Sequence, residues 1–222
     1  MTRMALLDTL ADTITSVVRP HPIRVAIDGV DGVGKTTLAD ELVEPLRHRG
    51  RPVIRASIDG FHHPRSVRYR LGRSSPEGYV RDSFNHDALT AVLLRPLGAG
   101  GSRCYQRAVF DYRTDSAVDA PIEVAPANAI LLFDGVFLHR QELREHWDFS
   151  VFLDAPFAVT IARCARRDGG SPDVDAPANR RYIEGQQIYL RESEPMRRAT
   201  IVIRNDDLSS PEITPGIPEP GA

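Results

Sequence analysis

One lysine stands among 28 basic side chains, and it lies inside a glycine-rich segment. Since every other basic residue is arginine, this position is one where the two cations are not exchangeable. The segment Gly29-Val30-Asp31-Gly32-Val33-Gly34-Lys35-Thr36 fits the pattern G-x-x-x-x-G-K-[S/T], in which backbone N–H groups wrap phosphates and the lysine reaches their outer oxygens. A compact ammonium on a flexible stem suits that task better than a planar guanidinium. We therefore predict a nucleotide phosphate site.

A phosphate loop needs a strand before it and a helix after it. Residues 23–28 predict a short buried strand, and Leu38, Leu42 and Leu46 recur at helical spacing over 37–46. At such a junction, free N–H groups and the helix dipole attract anions. The hydroxyl of Thr36 stands where these loops bind Mg²⁺. The predicted ATP-binding residues are Gly29, Val30, Asp31, Gly32, Val33, Gly34, Lys35, Thr36 and Thr37.

Length and charge restrict the class of protein. At 222 residues and 41% hydrophobic, the chain supports one sizeable core and is too short for two ordinary domains. A net charge of −2 gives no electrostatic footprint for nucleic acid, and no apolar run approaches the roughly 18 residues that span a bilayer. Two cysteines are too few for a disulfide framework and favour a cytoplasmic protein. Whether the chain forms a homo-oligomer stays open.

Three more predicted strands end in a carboxylate. They cover 51–59, 129–135 and 149–154, and their terminal acids are Asp59, Asp134 and Asp154. Near-continuous apolar strands separated by helical stretches indicate an α/β fold with a parallel sheet covered by helices on both faces. Ligands bind such sheets beyond the carboxyl ends of the strands. We expect the phosphate loop and these acids to meet there.

The remaining segments complete one predicted domain over residues 1–207. Residues 60–125 look like a substrate-binding insertion of short helices and a hairpin, and 168–180 look like a lid. Helices are expected over 1–18, 155–167 and 180–191, and a last strand over 200–204. Four prolines after residue 210 indicate a disordered tail over 208–222.

The order of these motifs resembles the uridine kinase family of P-loop kinases, in the group that also holds phosphoribulokinase and pantothenate kinase. The resemblance covers about residues 22–207. It is carried by the phosphate loop and by five further runs, at 57–62, 83–89, 110–114, 132–137 and 163–168. It implies a P-loop NTPase fold with a substrate insertion and a lid, and a kinase that uses ATP and Mg²⁺.

The resemblance also implies catalytic roles. Besides Lys35, it makes Asp59 the acceptor of the proton from the attacking hydroxyl, and it gives Asp134 either a contact to Mg²⁺ through water or a part in ordering the site. Arg163 and Arg167, four residues apart on one predicted helix, would stabilise the transferring phosphoryl group. Each assignment has a plainer alternative, because Asp before Gly is a common turn pair and charge on a helix is usually solvated.

The acceptor side matches the family less closely. The predicted substrate-binding residues are Asp59, His62, Phe84, Asn85, Tyr112 and Arg113. Asn85 stands where uridine kinases carry a ribose-binding Asp, and Asp115 stands where they carry a base-reading His. We expect a kinase for a hydroxyl of a uridine- or cytidine-like nucleoside or of a similar small metabolite. The open alternatives are a kinase for another alcohol, such as pantothenate or a sugar phosphate, and an ATP-binding protein without activity. An ordinary GTPase is excluded, because its Asn-Lys-x-Asp run needs a second lysine.

Overall fold

A mostly parallel six-stranded sheet organises residues 1–214, which are the residues that the computed structural model describes. The strands in chain order are β1 (Ile23–Gly29), β2 (Val53–Ser57), β3 (Cys104–Tyr105), β4 (Phe110–Asp111), β5 (Ser116–Ala117), β6 (Glu123–Val124), β7 (Ile130–Asp134), β8 (Phe149–Asp154), β9 (Ile201–Arg204) and β10 (Glu212–Thr214). The large sheet has the order β10-β9-β8-β1-β7-β2, in which only β10 is antiparallel to its neighbour.

Helices connect these strands. They are α1 (Arg3–Ser16), α2 (Lys35–Glu41), α3 (Val43–His48), α4 (Arg65–Arg68), α5 (Pro76–Asp82), α6 (His86–Leu89), α7 (Phe157–Asp168), α8 (Pro177–Ser193) and α9 (Pro195–Arg198). Two 3₁₀ turns cover Ile58–Phe61 and Arg144–His146, and a π-helical turn covers Thr90–Leu94. In the part of the chain from 1 to 214, no helix combines the length and the apolar character that a bilayer crossing requires.

The central strands are buried on both faces because successive side chains of a strand point to opposite sides. On β7, Ile130 and Leu132 belong to a core cluster shared with α1, α2 and α3, whereas Leu131 and Phe133 belong to a second cluster with α5, α6 and α8. The α/β class and the parallel sheet with helices on both faces are thus confirmed. This burial explains why β1, β7 and β8 read as apolar runs without alternation.

Several predicted boundaries need correction. The helix expected over 37–46 is two helices that meet at Leu42, and α8 begins at Pro177 rather than at residue 180, because proline is favoured in a first helical turn. The tail prediction is wrong for residues 208–214, because β10 forms a backbone ladder with β9 and the Pro211 carbonyl accepts from the amino terminus at 3.2 Å. The rest of the predicted tail, 215–222, lies outside the described residues.

The segment from 60 to 125 is built of short elements, as expected. It contains α4, α5, α6 and two small antiparallel pairs, β3 with β6 and β4 with β5. Helix α5 packs on α8, where Gly185 lies against Tyr79 so closely that an added Cβ would stand 2.8 Å from its ring. This contact brings the insertion against the helix that follows the predicted lid.

Candidate active site

The phosphate loop crosses from β1 to α2 with a backbone that needs glycine. Gly32 has φ +74°, and an added Cβ would lie 2.4 Å from the Thr160 carbonyl oxygen of α7. Gly34 has φ +102° and precedes α2, whose first turn has no side-chain cap. The amides of this turn are therefore left for an anion. Lys35 Nζ donates to the Val30 carbonyl at 2.8 Å, which holds the ammonium across the loop.

Thr36 and Asp134 form the pair that fits a divalent cation. Thr36 Oγ1 donates to Asp134 Oδ2 at 2.6 Å, and Asp134, at the end of β7, is 2% exposed. Arg55 of β2 donates to the other carboxylate oxygen at 2.9 Å. Within residues 1–214, no three His, Cys, Asp or Glu side chains gather into a metal cage. One carboxylate and one hydroxyl suit Mg²⁺, which keeps several waters and takes its remaining ligands from substrate phosphates.

Asp59 follows β2 in the 3₁₀ turn and is exposed. It lies at the carboxyl end of the parallel strands, where the phosphate loop also lies. The surrounding protein displaces water from its carboxyl group and raises its pKa, an effect that His62 opposes and that the charges of Asp134 and Asp31 reinforce. The Asp59 amide is capped by Ser57 Oγ at 3.4 Å. Asp59 is therefore an accessible carboxylate with increased basicity.

Aromatic rings stand beside Asp59. The His62 ring lies 4.5 Å from the ring of Phe84 and 4.8 Å from that of Tyr112, measured between centroids. A β-bridge joins the backbones of His62 and Phe84, and His62 Nδ1 lies 3.0 Å from the Asp59 carbonyl oxygen. Burial lowers the pKa of His62 below its ordinary value. This end of the site offers flat aromatic surface beside the carboxylate of Asp59.

Helix α7 carries the arginines. Arg163 donates to the backbone carbonyls of Asn205 at 3.0 Å and Asp206 at 2.7 Å, in the loop after β9. Arg167 pairs with Asp168 at 2.7 Å, so its guanidinium is already engaged. Arg166 has no ion pair with any residue between 1 and 214. Of the three, only Arg166 has neither an ion pair nor a side-chain hydrogen bond within residues 1–214, although Arg163 and Arg167 were the predicted pair.

One cleft of about 870 Å³ joins these groups at the carboxyl ends of the strands. The predicted site residues that line it are Asp31, Gly32, Gly34, Lys35, Thr36, Thr37, Asp59, His62, Phe84, Tyr112, Asp134, Arg163 and Arg167. The remaining loop residues, Gly29, Val30 and Val33, shape the loop from behind: Val33 is fully buried and an added Cβ on Gly29 would meet the Leu153 carbonyl at 2.5 Å.

Two predicted acceptor residues lie outside this lining. Asn85 Oδ1 accepts from the Ala88 amide at 2.9 Å, so its side chain caps α6. Arg113 is exposed, with its guanidinium 4.9 Å from the Tyr112 ring centroid. Asp115, at the position of the expected base-reading histidine, accepts from Arg68 Nη2 at 3.1 Å. The structure therefore gives these three positions structural contacts.

The cleft also contains residues that sequence reasoning missed. Tyr79 of α5 and Tyr182 of α8 line it, and Gln186 of α8 binds the loop. Their signals in the sequence were weak, because an aromatic residue in a helix is usually core. Asp28 was read only as the last residue of a strand, yet it is fully buried and accepts from Tyr189 and from the amide of Gly29.

The fold and the cleft define a P-loop small-molecule kinase. The chain belongs to the Phosphoribulokinase / Uridine kinase family, whose model matches residues 24–171. A uridine kinase from Brevibacillus brevis is 24% identical over 190 residues, which cover 82% of this chain and 84% of that protein.

Solved structures agree with this assignment. A structure described as a possible uridine kinase from Bacillus stearothermophilus superimposes with a TM-score of 0.71 at 27% identity, and the match covers 90% of this chain and 97% of that one. Phosphoribulokinase from Rhodobacter spheroides shares the fold with a TM-score of 0.55 at 15% identity, over 83% of this chain and 70% of that one.

Proposed function

We propose that this protein transfers the γ-phosphoryl group of ATP to a hydroxyl of a nucleoside. One observation carries the proposal: a single cleft holds Lys35 and the Thr36 and Asp134 pair at one end, and the accessible Asp59 beside aromatic rings at the other. The name of the Brevibacillus brevis relative supports a nucleoside as the acceptor.

The donor end would hold the triphosphate. The loop amides and Lys35 would bind the phosphates, and Arg166 would contribute a further positive charge. Thr36 and Asp134 would hold Mg²⁺, directly or through water. When bound, the cation neutralises charge on the phosphates and keeps them in line for displacement.

The acceptor end would supply the nucleophile. The attacking hydroxyl oxygen forms a bond to the γ-phosphorus while the bond to the bridging oxygen of ADP breaks, and Asp59 takes the hydroxyl proton. A carboxylate in that position orients the hydroxyl as well as accepting its proton. Because the transition state is loose, positioning supplies most of the rate enhancement.

Charges at the acceptor end favour an uncharged acceptor. Asp31 and Asp59 face this part of the cleft, while the arginines that line it all lie on α7, at the phosphate end. Arg107 lies outside the cleft lining and pairs with Glu123 at 2.6 Å. Pantothenate and a sugar phosphate would meet repulsion from carboxylates, whereas a nucleoside base would stack on the rings.

A panel assay tests the proposal. Uridine, cytidine, other nucleosides, pantothenate and sugar phosphates are supplied with Mg-ATP, and acceptor-dependent ADP release is measured together with the phosphorylated product. We expect turnover with at least one nucleoside and little with the anions. If ADP release stays at the acceptor-free rate with every compound, the protein is not a kinase for these acceptors.

Asp59→Asn tests the assigned base. Removing a general base lowers kcat by roughly 10²- to 10⁴-fold, while ATP affinity is expected to remain within about twofold, because the phosphate loop is untouched. The control is Asp87→Asn, an exposed carboxylate on α6 outside the cleft, which should retain full kcat. Unchanged turnover in Asp59→Asn would remove Asp59 from the mechanism.

A further inference from the structure

The carboxylate of Asp31 is fixed at the third position of the phosphate loop. Its Oδ2 accepts from Tyr79 Oη at 2.7 Å and from Gln186 Nε2 at 3.3 Å. Its backbone amide donates to Gln186 Oε1 at 2.6 Å. A helix of the insertion and a helix beyond the predicted lid therefore hold the same loop residue. Two hydrogen bonds orient this carboxylate, and a third, from the backbone amide, holds the residue itself.

Its second oxygen is left for a ligand. Asp31 Oδ1 has no hydrogen-bond partner between residues 1 and 214, and it is not among the buried polar atoms without a partner. Since Asp31 is only half-buried and lines the cleft, this oxygen is open to the cleft. A carboxylate oxygen that is accessible and held in place accepts hydroxyl donors.

Asp31 lies where the phosphate end of the cleft meets the acceptor end, since its charge acts on Arg167 of α7 as well as on Asp59. Tyr79, Tyr182 and Asp59 line the same cleft, and the Asp31 charge is near enough to reinforce the raised pKa of Asp59. Asn85, the other residue from which a hydroxyl contact was expected, is engaged as the cap of α6. The acceptor end thus has two accessible carboxylates, of which Asp59 is assigned to the reacting hydroxyl.

We propose that Asp31 Oδ1 accepts a hydrogen bond from a second hydroxyl of the acceptor, one that is not phosphorylated. Asp31 is then a specificity residue, and Tyr79 and Gln186 are positioning residues that orient it. The substrate class follows: a nucleoside with a sugar diol, in preference to a deoxynucleoside. This inference rests on the proposed nucleoside kinase function.

The size of the preference for the ribonucleoside follows from the negative charge of the Asp31 carboxylate. A site built to bind a hydroxyl rejects an analogue without it, because the binding group is left unpaired. A hydrogen bond to a charged group changes an equilibrium by roughly 10- to 100-fold. Water can reach Asp31 in part, so we expect the lower half of that range.

The test compares kcat/KM for a ribonucleoside with that for its 2′-deoxy and 3′-deoxy forms. The wild type should prefer the ribonucleoside to at least one deoxy form by roughly 10- to 30-fold. Asp31→Ala should reduce that ratio to about 1 to 3, and Tyr79→Phe should reduce it partly while keeping the ring contacts of Tyr79. Tyr105→Phe is the matched control, because Tyr105 Oη contacts Glu123 outside the cleft.

Each outcome decides a different question. If the wild type phosphorylates no nucleoside, the proposed function fails. If the wild type phosphorylates nucleosides without discrimination, or if Asp31→Ala keeps the full ratio, the role of Asp31 is refuted. An unchanged ratio with much weaker ATP binding would show that Asp31 only braces the loop. If Asp31→Ala is folded but inactive, calorimetric binding of the ribo and deoxy forms gives the same ratio without turnover.

Discussion

Removal of Arg55 is the perturbation for which the structure gives the clearest magnitude. Arg55 Nη2 lies 2.9 Å from Asp134 Oδ1, and the side chain of Asp134 is 3% exposed. The same guanidinium donates to the Leu132 carbonyl at 2.8 Å. The substitution Arg55→Met would keep much of the aliphatic stem and leave a buried carboxylate without its counterion.

Two limits bracket the loss in the free energy of unfolding when Arg55 is removed. Opposite charges about 4 Å apart attract by about 4 kcal/mol at an effective dielectric constant of about 20. Breaking a buried pair by removing one partner costs about 3–5 kcal/mol. Because the Arg55 side chain is 21% exposed, water weakens the pair, and we expect a loss of about 3 kcal/mol in the free energy of unfolding. For a chain of this length, that corresponds to a decrease of roughly 6–12 °C in Tm.

The assay is a double-mutant cycle with urea unfolding of the wild type, Arg55→Met, Asp134→Asn and the double variant. We expect the double variant to be at least as stable as Arg55→Met, with a coupling energy of about 2 kcal/mol. Asp40→Asn is the matched control: Asp40 also contacts Arg55 at 2.9 Å, but its side chain is 64% exposed, so its loss costs at most about 1 kcal/mol. Equal costs for Asp40→Asn and Asp134→Asn, or no coupling, would refute the reasoning.

Two further predictions concern the loop and the pH dependence of stability. Gly32→Ala should abolish measurable ATP binding by calorimetry, because its Cβ would lie 2.4 Å from the Thr160 carbonyl oxygen; Gly50→Ala has a similar φ of +75° with nothing within 4 Å and should bind ATP normally. Burial lowers the pKa of His86 to about 4, below its ordinary value of about 6.5, so the unfolded chain binds the proton first and stability falls as pH decreases from about 6.5 to 4. Over this pH range the wild type should lose about 3 kcal/mol of its free energy of unfolding. In urea titrations over the same range, His86→Gln should avoid most of this loss.

The donor half of the site was predictable because it depends on local sequence. The loop pattern, an apolar strand before it and a helical repeat after it all lie within residues 23–46. The confirmed sheet and family follow from similar local signals. Contacts such as Tyr79 with Asp31 or Arg55 with Asp134 join residues 48 and 79 positions apart, and periodicity carries no signal for them.

The acceptor half shows why a matching position is weaker support than a contact. Asn85 follows Phe84 as the resemblance requires, yet a short polar side chain there also satisfies the open amides of α6. Asp115 similarly serves Arg68, which is 7% exposed and needs a counterion. Sequence alone does not tell whether a polar residue binds a ligand or satisfies a structural contact. The local backbone and its neighbours decide it.

The charged residues of the cleft would favour one orientation of bound ATP. Lys35 and the arginines of α7 line the cleft beside the phosphate loop, and the carboxylates of Asp31 and Asp59 line it as well. Under the proposed function, a triphosphate would be drawn to the basic groups and repelled by the carboxylates, which would favour one orientation of ATP, with its γ-phosphoryl group toward Asp59. Burial raises the pKa of Asp59, and the charges of Asp134 and Asp31 add to that rise and so increase its basicity. Under the proposed function, one arrangement of carboxylates would therefore orient the donor, favour an uncharged acceptor and increase the basicity of Asp59.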